Sequence, residues 1–342
     1  MGTSTFKQLI SSGLLTLKAV FVVYGLMNSV CFAETKQGAI ASAHPLATNA
    51  GLAILASGGN AFDAAVAVAA VLSVVEPQGS GLGGGGFFLL HRARDKFDVM
   101  IDAREKAPLA AHQGMFQNEC GQVVKNASTQ GPLAAGVPGL PAGLVHLAEN
   151  YGRLPLSVAL KPAINLAEKG FHVGQRFRHL LQYRTHQMTV NSELQAVFYD
   201  QGQIPATGFL LRQKDLARTL RLLSTLGWAG FYQGEIATLL VDSVQKGGGI
   251  WTLADLAAYH VVERKPIFGE YRGIKITSAA PPSSGGIVLV EVLNILAGYS
   301  LETMTSVMRK HLIIEAMRRA YRDRAVYLGD PDFVQIPVKQ LL

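Results

Sequence analysis

The chain has 342 residues, of which 49% are hydrophobic and 16% are charged, and its formal net charge is +7. This composition excludes an intrinsically disordered protein, because disorder needs low hydrophobicity and high charge. The basic residues form no run of five or more, so a nucleic-acid-binding protein is not predicted. The densest basic stretch alternates with acids at helical spacing, which indicates a solvated, salt-bridged helix face. It comprises Arg318, Arg319, Arg322 and Arg324 with Glu315 and Asp323.

Residues 1–33 have the features of a secretory signal peptide. Two lysines are the charged residues of this segment, no acid is present, and residues 19–30 are apolar. Cys31 and Ala33 place small residues at the two positions that a signal peptidase reads. An uncleaved signal anchor is the alternative, but the apolar run is shorter than the roughly 20 residues that a spanning helix needs. We expect cleavage after Ala33, export to the periplasm or the medium, and no stable membrane span in the mature protein.

In chain order, the predicted elements mix helices with β-hairpins. Helices are predicted at His44–Ser57, Ala61–Val75, Pro141–Asn150, Leu156–Lys169, Lys214–Leu226, Gly234–Lys246, Leu253–Tyr259, Gly285–Leu296 and Ser306–Tyr327. Strands are predicted at Phe87–Leu90, Phe97–Asp102, Ile267–Tyr271 and Ile274–Ser278, with the first two paired as an antiparallel hairpin. This order lacks regular strand–helix alternation, so it predicts an α+β fold rather than a doubly wound parallel sheet.

A glycine-rich loop, Gly79–Gly86, lies between the second predicted helix and the first predicted strand. Gly79, Gly81 and Gly84 fit the G-x-G-x-x-G pattern of dinucleotide-binding loops, and Asp102 follows about 20 residues later. The context is reversed, because that pattern needs a strand before the loop and a helix after it. We therefore predict a loop whose backbone passes very close to other backbone or to a ligand, and not a nucleotide site.

Arg104 is the candidate substrate-binding residue. It follows the predicted strand that ends at Asp102 and lies near the glycine-rich loop in the sequence. Its planar guanidinium can donate two parallel hydrogen bonds to a carboxylate. A structural ion pair with Asp102 or Glu105 is the alternative, and spacing alone favours that alternative.

Other kinds of site find little support in the residues. The segment 281–286 leads into a predicted helix, and Ser283 or Ser284 is expected to cap that helix rather than to act in catalysis. The nine His residues form no HxxxH or HExxH pair and the two Cys residues form no CxxC pair, so no metal site is predicted. Removal of the leader would leave Cys120 as the single cysteine, which excludes an intrachain disulfide.

Several short segments between residues 37 and 342 form a set that is specific as a whole rather than singly. They are Gly58–Ala65, Glu76-Pro77 with Gly81–Phe87, Asp102–Pro108, Gly136–Gly139, Leu253–Tyr259, Tyr271–Gly273, Pro281–Gly286 and Tyr327–Phe333. In content and order this set resembles the γ-glutamyltransferase family, which belongs to the N-terminal-nucleophile hydrolases.

The resemblance implies both a fold and a reaction. The fold would be a four-layer αββα sandwich built from the large and small subunits of one self-cleaving precursor. Residues 34–342 would form the large-subunit portion, an incomplete single domain. The reaction would cleave the γ-glutamyl amide of glutathione or a related donor and transfer the glutamyl group to water, amino acids or peptides. The N-terminal Thr of the small subunit would be the nucleophile, with its own amine as general base, and no metal or organic cofactor would be needed.

By resemblance, Arg104 matches the family arginine that binds the α-carboxylate of the donor. The family nucleophile lies in a Thr-Thr-His or Thr-Ser-His segment, and neither occurs here, so no catalytic residue is predicted in this chain. We expect the nucleophile to lie beyond this chain, and the chain alone to be inactive and poorly soluble. Two alternatives stay open: a non-catalytic glutamyl-binding remnant or interaction protein, and a related self-cleaving acylase. The carboxylate-binding role implied for Arg104 argues against the acylase.

Overall fold

The computed structural model describes residues 38–188 and 192–342, without the side chains of 184–188. The predicted signal peptide at residues 1–33 lies outside the described residues. By contact density the chain divides into Met1–Ala39 and Ile40–Leu342, and everything described below belongs to the second unit.

Helices and strands are interspersed along this unit. The helices are α1 Pro45–Ala56, α2 Ala61–Val75, α3 Pro77–Ser80, α4 Leu140–Tyr151, α5 Leu156–Lys169, α6 Gln175–Met188, α7 Ser192–Phe198, α8 Lys214–Leu226, α9 Ala229–Tyr232, α10 Gly234–Lys246, α11 Leu253–Ala257, α12 Gly285–Ala297, α13 Ser306–Tyr327 and α14 Val338–Leu341. The strands are β1 Gly86–Arg92, β2 Phe97–Ala103, β3 Phe171–His172, β4 Leu210–Leu211, β5 Val262–Arg264, β6 Ile267–Tyr271 and β7 Ile274–Ser278. Within the described part of the chain, no helix is long and apolar enough to cross a membrane.

Helix α2 is rich in Ala, Val and Leu and is largely buried. Its first turn is closed by a capping box, in which Asn60 Oδ1 accepts the N–H groups of Phe62 and Asp63 while Asp63 Oδ2 accepts the Asn60 N–H. The Asp63 carboxylate also accepts the N–H groups of Arg153 and Leu154. One buried acid therefore fixes the start of α2 and joins it to the segment after α4.

The central sheet has the order β1-β2-β5 and is antiparallel throughout. The β1–β2 hairpin predicted from sequence runs in register from Gly86 opposite Ala103 to Arg92 opposite Phe97. Strand β5 lies on the other side of β2, with Arg264 opposite Met100. The short β5 therefore places residues from late in the chain beside the end of β2.

The two faces of β2 contact different cores because successive side chains point to opposite faces. Val99 and Ile101 join the large core that includes the buried faces of α2, α4, α5 and α8. Met100 joins a smaller core with Ile267 of β6 and Ile287 of α12. The layers therefore follow the order helices, β1-β2-β5 sheet, β6–β7 hairpin, helix α12, which is the αββα order predicted, and the α+β class is confirmed.

The C-terminal helices leave a broad apolar surface uncovered. Only Ala316 and Ala320 of the 22-residue helix α13 are buried. The exposed apolar side chains on α13 and in the segment after it define the C-terminal apolar surface: Val307, Met308, Ile314, Met317, Tyr321, Val326, Phe333 and Val334. Single exposed apolar side chains are normal on protein surfaces, whereas this many on one helix and the segment after it is unusual.

Candidate substrate-binding site

Arg104 follows the last residue of β2, and its backbone is held on both sides. Its N–H donates to Asp102 Oδ1 at 3.2 Å, and its carbonyl accepts the hydroxyl of Tyr259 at 2.7 Å. Tyr259 is buried, and burial raises the pKa of its phenol above the usual range, so the phenol remains a hydrogen-bond donor at neutral pH. The Arg104 side chain is exposed and has no hydrogen-bond or ion-pair partner among the described residues.

The ion pair with Asp102 or Glu105, which spacing alone favoured, does not form. Asp102 binds Arg264 instead, with 2.7 Å between Arg264 Nε and Asp102 Oδ2. The other two nitrogens of Arg264 bind Asp332 as a fork, at 2.9 and 3.0 Å. These hydrogen bonds hold the pKa of Asp332 below its usual range, and that of Arg264 above its own. One guanidinium thus pairs with two carboxylates while Arg104 remains unpaired.

Arg104 lines a cavity of about 250 Å³ at the end of β2. Four carboxylates line this cavity, from Asp102, Glu105, Asp330 and Asp332, together with three cations, from Arg104, Lys106 and Arg264. A second cavity, of about 460 Å³, is lined by Arg104 from the other side, with Ser283, Ser284 and Arg324. Arg104 is therefore the cation that the two cavities share, and it is accessible from both.

The glycine-rich loop has the role that its reversed context predicted. It follows a helix and precedes β1, which is the reverse of the order in a dinucleotide-binding loop. A Cβ on Gly85 would lie 2.5 Å from the Ala103 carbonyl oxygen and 2.8 Å from the Glu105 nitrogen. The Gly84 carbonyl also accepts the N–H of Gly139 at 3.0 Å, just before α4. The loop packs backbone against backbone beside Arg104, which confirms the close approach.

Of the two serines before α12, Ser283 accepts a backbone N–H of the first helical residue, whereas Ser284 does not cap the helix. Ser284 is the N-terminal flanking residue of α12, but its side chain makes no capping hydrogen bond. Its Oγ instead accepts Arg324 Nε at 3.0 Å, and Ser283 Oγ accepts the Gly285 N–H at 3.3 Å. The Arg324 contact links α13 to the start of α12 across the second cavity.

The predicted salt-bridged face of α13 is present in part. Arg318 donates to Glu315 at 2.6 Å, and Arg322 approaches Asp323 at 3.4 Å. On the inner side of this helix, Asp323 faces Glu291 of α12, a residue that the sequence analysis did not single out. Glu291 is 8% exposed, and its Oε2 has no hydrogen-bond partner in the described structure. Burial and the neighbouring Asp323 raise the pKa of Glu291 to about 7.

The layer order is that of the N-terminal-nucleophile hydrolases. The family model for gamma-glutamyltranspeptidase matches residues 47–342 of the chain. The structure resembles the Helicobacter pylori gamma-glutamyltranspeptidase with a TM-score of 0.86 and 45% identity, over 90% of this chain and 88% of that chain. The chain belongs to the gamma-glutamyltranspeptidase family.

Two curated relatives are similar over most of this chain. The glutathione hydrolase proenzyme of Pseudomonas sp. strain A14 is 44% identical over 345 residues, which is 100% of this chain and 59% of the relative. The acylase ACY 1 proenzyme of Pseudomonas sp. strain V22 is 36% identical over 91% of this chain and 57% of the relative. The chain therefore spans rather more than half the length of these relatives.

Proposed function

We propose that this chain is the donor-binding portion of a γ-glutamyltransferase and glutathione hydrolase. The observation that carries the proposal is Arg104, an unpaired exposed guanidinium at the wall shared by two cavities. A γ-glutamyl donor carries an α-carboxylate at the end away from the scissile amide. A bidentate contact between this carboxylate and Arg104 would fix the donor and direct its amide away from the arginine.

The nucleophile would come from residues outside these 342. A Thr with a free α-amine attacks the γ-carbonyl carbon, the amine accepts the hydroxyl proton, and the leaving amine takes that proton. The resulting glutamyl ester is then attacked by water, giving glutamate, or by an amino acid or peptide, giving a new γ-glutamyl amide. The absence of a Thr-Thr-His or Thr-Ser-His segment from the chain supports this division of roles.

The small subunit of the same precursor is the partner that we propose for the C-terminal apolar surface. The proenzyme names of the relatives support a precursor that is processed into parts. Phe333 is 86% exposed and Val307 is 76% exposed, so a covering segment would remove large apolar side chains from water.

The proposal is tested with the native protein, purified from its source with an antibody against this chain. We expect a second, smaller subunit to co-purify and the complex to release glutamate from glutathione, whereas the isolated chain releases none. A native protein without a second subunit and without glutamate release would contradict the proposal and favour the non-catalytic alternative. Equal turnover of amides with and without an α-carboxylate on the acyl group would favour the acylase alternative.

We also propose that the protein is exported, to the periplasm or the medium. The support is the predicted leader, with two lysines, an apolar segment and small residues before Glu34. N-terminal sequencing of the native protein from cell fractions tests this point. A soluble periplasmic or extracellular chain that begins at Glu34 is expected, whereas an intact leader in the membrane fraction would indicate an anchor.

A further inference from the structure

Arg104 remains unpaired although it shares its cavity with four carboxylates. Asp102 lies two residues from Arg104, and its carboxylate accepts the Arg104 backbone N–H at 3.2 Å. The Asp102 side chain is 7% exposed, so little water is available to solvate its charge. A buried carboxylate in this position would ordinarily attract the nearest mobile cation.

The hydrogen-bonding capacity of Asp102 is used elsewhere. Oδ1 accepts the Arg104 backbone N–H at 3.2 Å, and Oδ2 accepts Arg264 Nε at 2.7 Å. Arg264 is itself held in place, because its remaining two nitrogens bind Asp332 and its side chain is 13% exposed. Register explains the contact: Arg264 lies opposite Met100, on the same face of β2 as Asp102.

We propose that Arg264 is a positioning residue for Arg104. By pairing with Asp102 and Asp332, Arg264 removes two carboxylates that would otherwise compete for the Arg104 guanidinium, and it thereby leaves Arg104 available to an incoming carboxylate. That the incoming carboxylate belongs to a γ-glutamyl donor rests on the proposed function. The pairing of Arg264 with Asp102 and Asp332, which leaves the Arg104 guanidinium without those two partners, does not rest on the proposed function.

Removal of the Arg264 charge should allow Asp102 to compete with an external carboxylate for the Arg104 guanidinium. In Arg264→Gln, Asp102 keeps its buried charge without a cation, and Arg104 is two residues away on the same cavity wall. Capture of Arg104 by Asp102 would lower both its chemical reactivity and its affinity for an external carboxylate. A second change, Asp102→Asn, removes the negative charge that would bind Arg104 while keeping the shape of the side chain. The Arg104 guanidinium should then be free again.

Labelling of arginines with phenylglyoxal in the complete chain measures this directly, with the modification at Arg104 quantified by peptide mass spectrometry. We expect Arg264→Gln to lower the labelling rate at Arg104 several-fold and Asp102→Asn/Arg264→Gln to restore it. Exposed Arg94, in the turn at the far end of the same hairpin, should label at one rate in all variants. Because restoration requires a second mutation in the same site, a merely structural role for Arg264 would not produce this pattern.

An unchanged rate at Arg104 in Arg264→Gln, or no restoration in the double variant, would overturn the proposal. If Arg264→Gln does not fold, as judged by faster labelling of the salt-bridged Arg176, Arg264→Lys replaces it. A single ammonium cannot bind both carboxylates as a fork, so an intermediate rate at Arg104 is expected, and a wild-type rate would contradict the proposal. The labelling requires no turnover, so its failure and the failure of the proposed function are separate results.

Discussion

At the scale of single residues, the cations of the Arg104 cavity differ in what they bind. Arg264 pairs with two carboxylates, and Lys106 Nζ lies 5.7 Å from the centroid of the Tyr259 ring. Lys106 and Arg104 are both exposed, but among the described cations of the cavity Arg104 alone has neither a polar partner nor an aromatic ring contact. A hydrogen bond to a charged group contributes about 1.5–3 kcal/mol. An added carboxylate would therefore gain the most binding free energy in this cavity at the unpaired guanidinium of Arg104.

Sequence reasoning singled out Arg104 but not Arg264 or Asp332, for a physical reason. The position of Arg104 after a strand and near a glycine-rich loop is a local feature, and the resemblance supplied its role. Arg264 binds Asp102 across 162 residues and Asp332 across 68, so no spacing pattern indicates the contacts. They exist only because β5 lies against β2. Glu291 was missed because the sequence of an apolar helix that contains one acid does not indicate which side chain of another helix will face that acid.

The raised pKa of Glu291 predicts a pH-dependent loss of stability. The pKa is about 7 in the folded chain against 4.5 for the ordinary group, because burial and Asp323 disfavour the charged form. Between these values the carboxyl is ionised in the unfolded chain and takes up a proton on folding, so its favourable effect on stability falls as pH rises from about 4.5 through about 7. Glu291→Gln cannot ionise, so we expect it to have a higher Tm than the wild type at pH 8 and a similar Tm at pH 4.5.

Differential scanning calorimetry at both pH values measures this difference. Glu270→Gln is the matched control, because Glu270 is an exposed glutamate on β6. A Tm difference for Glu291→Gln that is the same at both pH values, or that is reproduced by Glu270→Gln, would contradict the assignment.

At the scale of elements, local signals predicted most of the helices well. Helices α2, α5, α8, α10 and α13 and strands β6 and β7 have the predicted bounds, whereas α11 ends at Ala257 rather than at Tyr259. The elements that were missed depend on distant partners. Strands β3 and β4 pair only with each other, through Phe171 opposite Leu211. Helix α6 is rich in polar residues, and its core contacts come mainly from Phe177 and Leu181.

The glycine-rich loop makes an element-scale prediction. Alanine at Gly85 would place a methyl group against backbone atoms of Ala103, Arg104 and Glu105, at 2.5 to 2.9 Å, and backbone cannot rotate away as a side chain can. We expect Gly85→Ala to displace the Arg104 segment, to lower Tm by several degrees and to raise KM for a γ-glutamyl donor by at least about tenfold.

Gly83→Ala is the matched control for this substitution. Gly83 lies in the same loop, and a Cβ there would have nothing within 4 Å. We expect Gly83→Ala to leave Tm and KM near the wild-type values in thermal melts and steady-state kinetics of the native complex. Similar behaviour of the two variants would mean that close approach at Gly85 does not position Arg104.

At the scale of the whole molecule, the αββα order could be predicted only through the resemblance. Residue patterns gave the α+β class, but they did not indicate that Val99 and Met100 would face different cores. The extent of the C-terminal apolar surface was also not evident from the pattern of α13. Its apolar residues are distributed around the helix, and only two of its residues are buried against the described chain.

The proposed small subunit predicts a specific effect of changing the C-terminal apolar surface. Phe333→Ser removes the most exposed large apolar side chain of that surface. We expect this change to speed dissociation of the native complex, measured by size-exclusion chromatography after dilution. Val123→Ser is the control, because Val123 is 76% exposed but lies outside that surface. Equal stability of the Phe333→Ser and wild-type complexes would argue against a partner at this surface.

The claim that Arg104 binds the α-carboxylate of the donor is tested most directly by comparing two substrates of the native complex. They are γ-glutamyl-p-nitroanilide and 4-aminobutanoyl-p-nitroanilide, which differ only in that carboxylate. We predict that Arg104→Ala lowers kcat/KM for the first by roughly 10- to 100-fold, the equivalent of about 1.5–3 kcal/mol, and leaves the second unchanged. Arg94→Ala should alter neither. An Arg104→Ala variant that keeps the wild-type preference between the two substrates would contradict the claim.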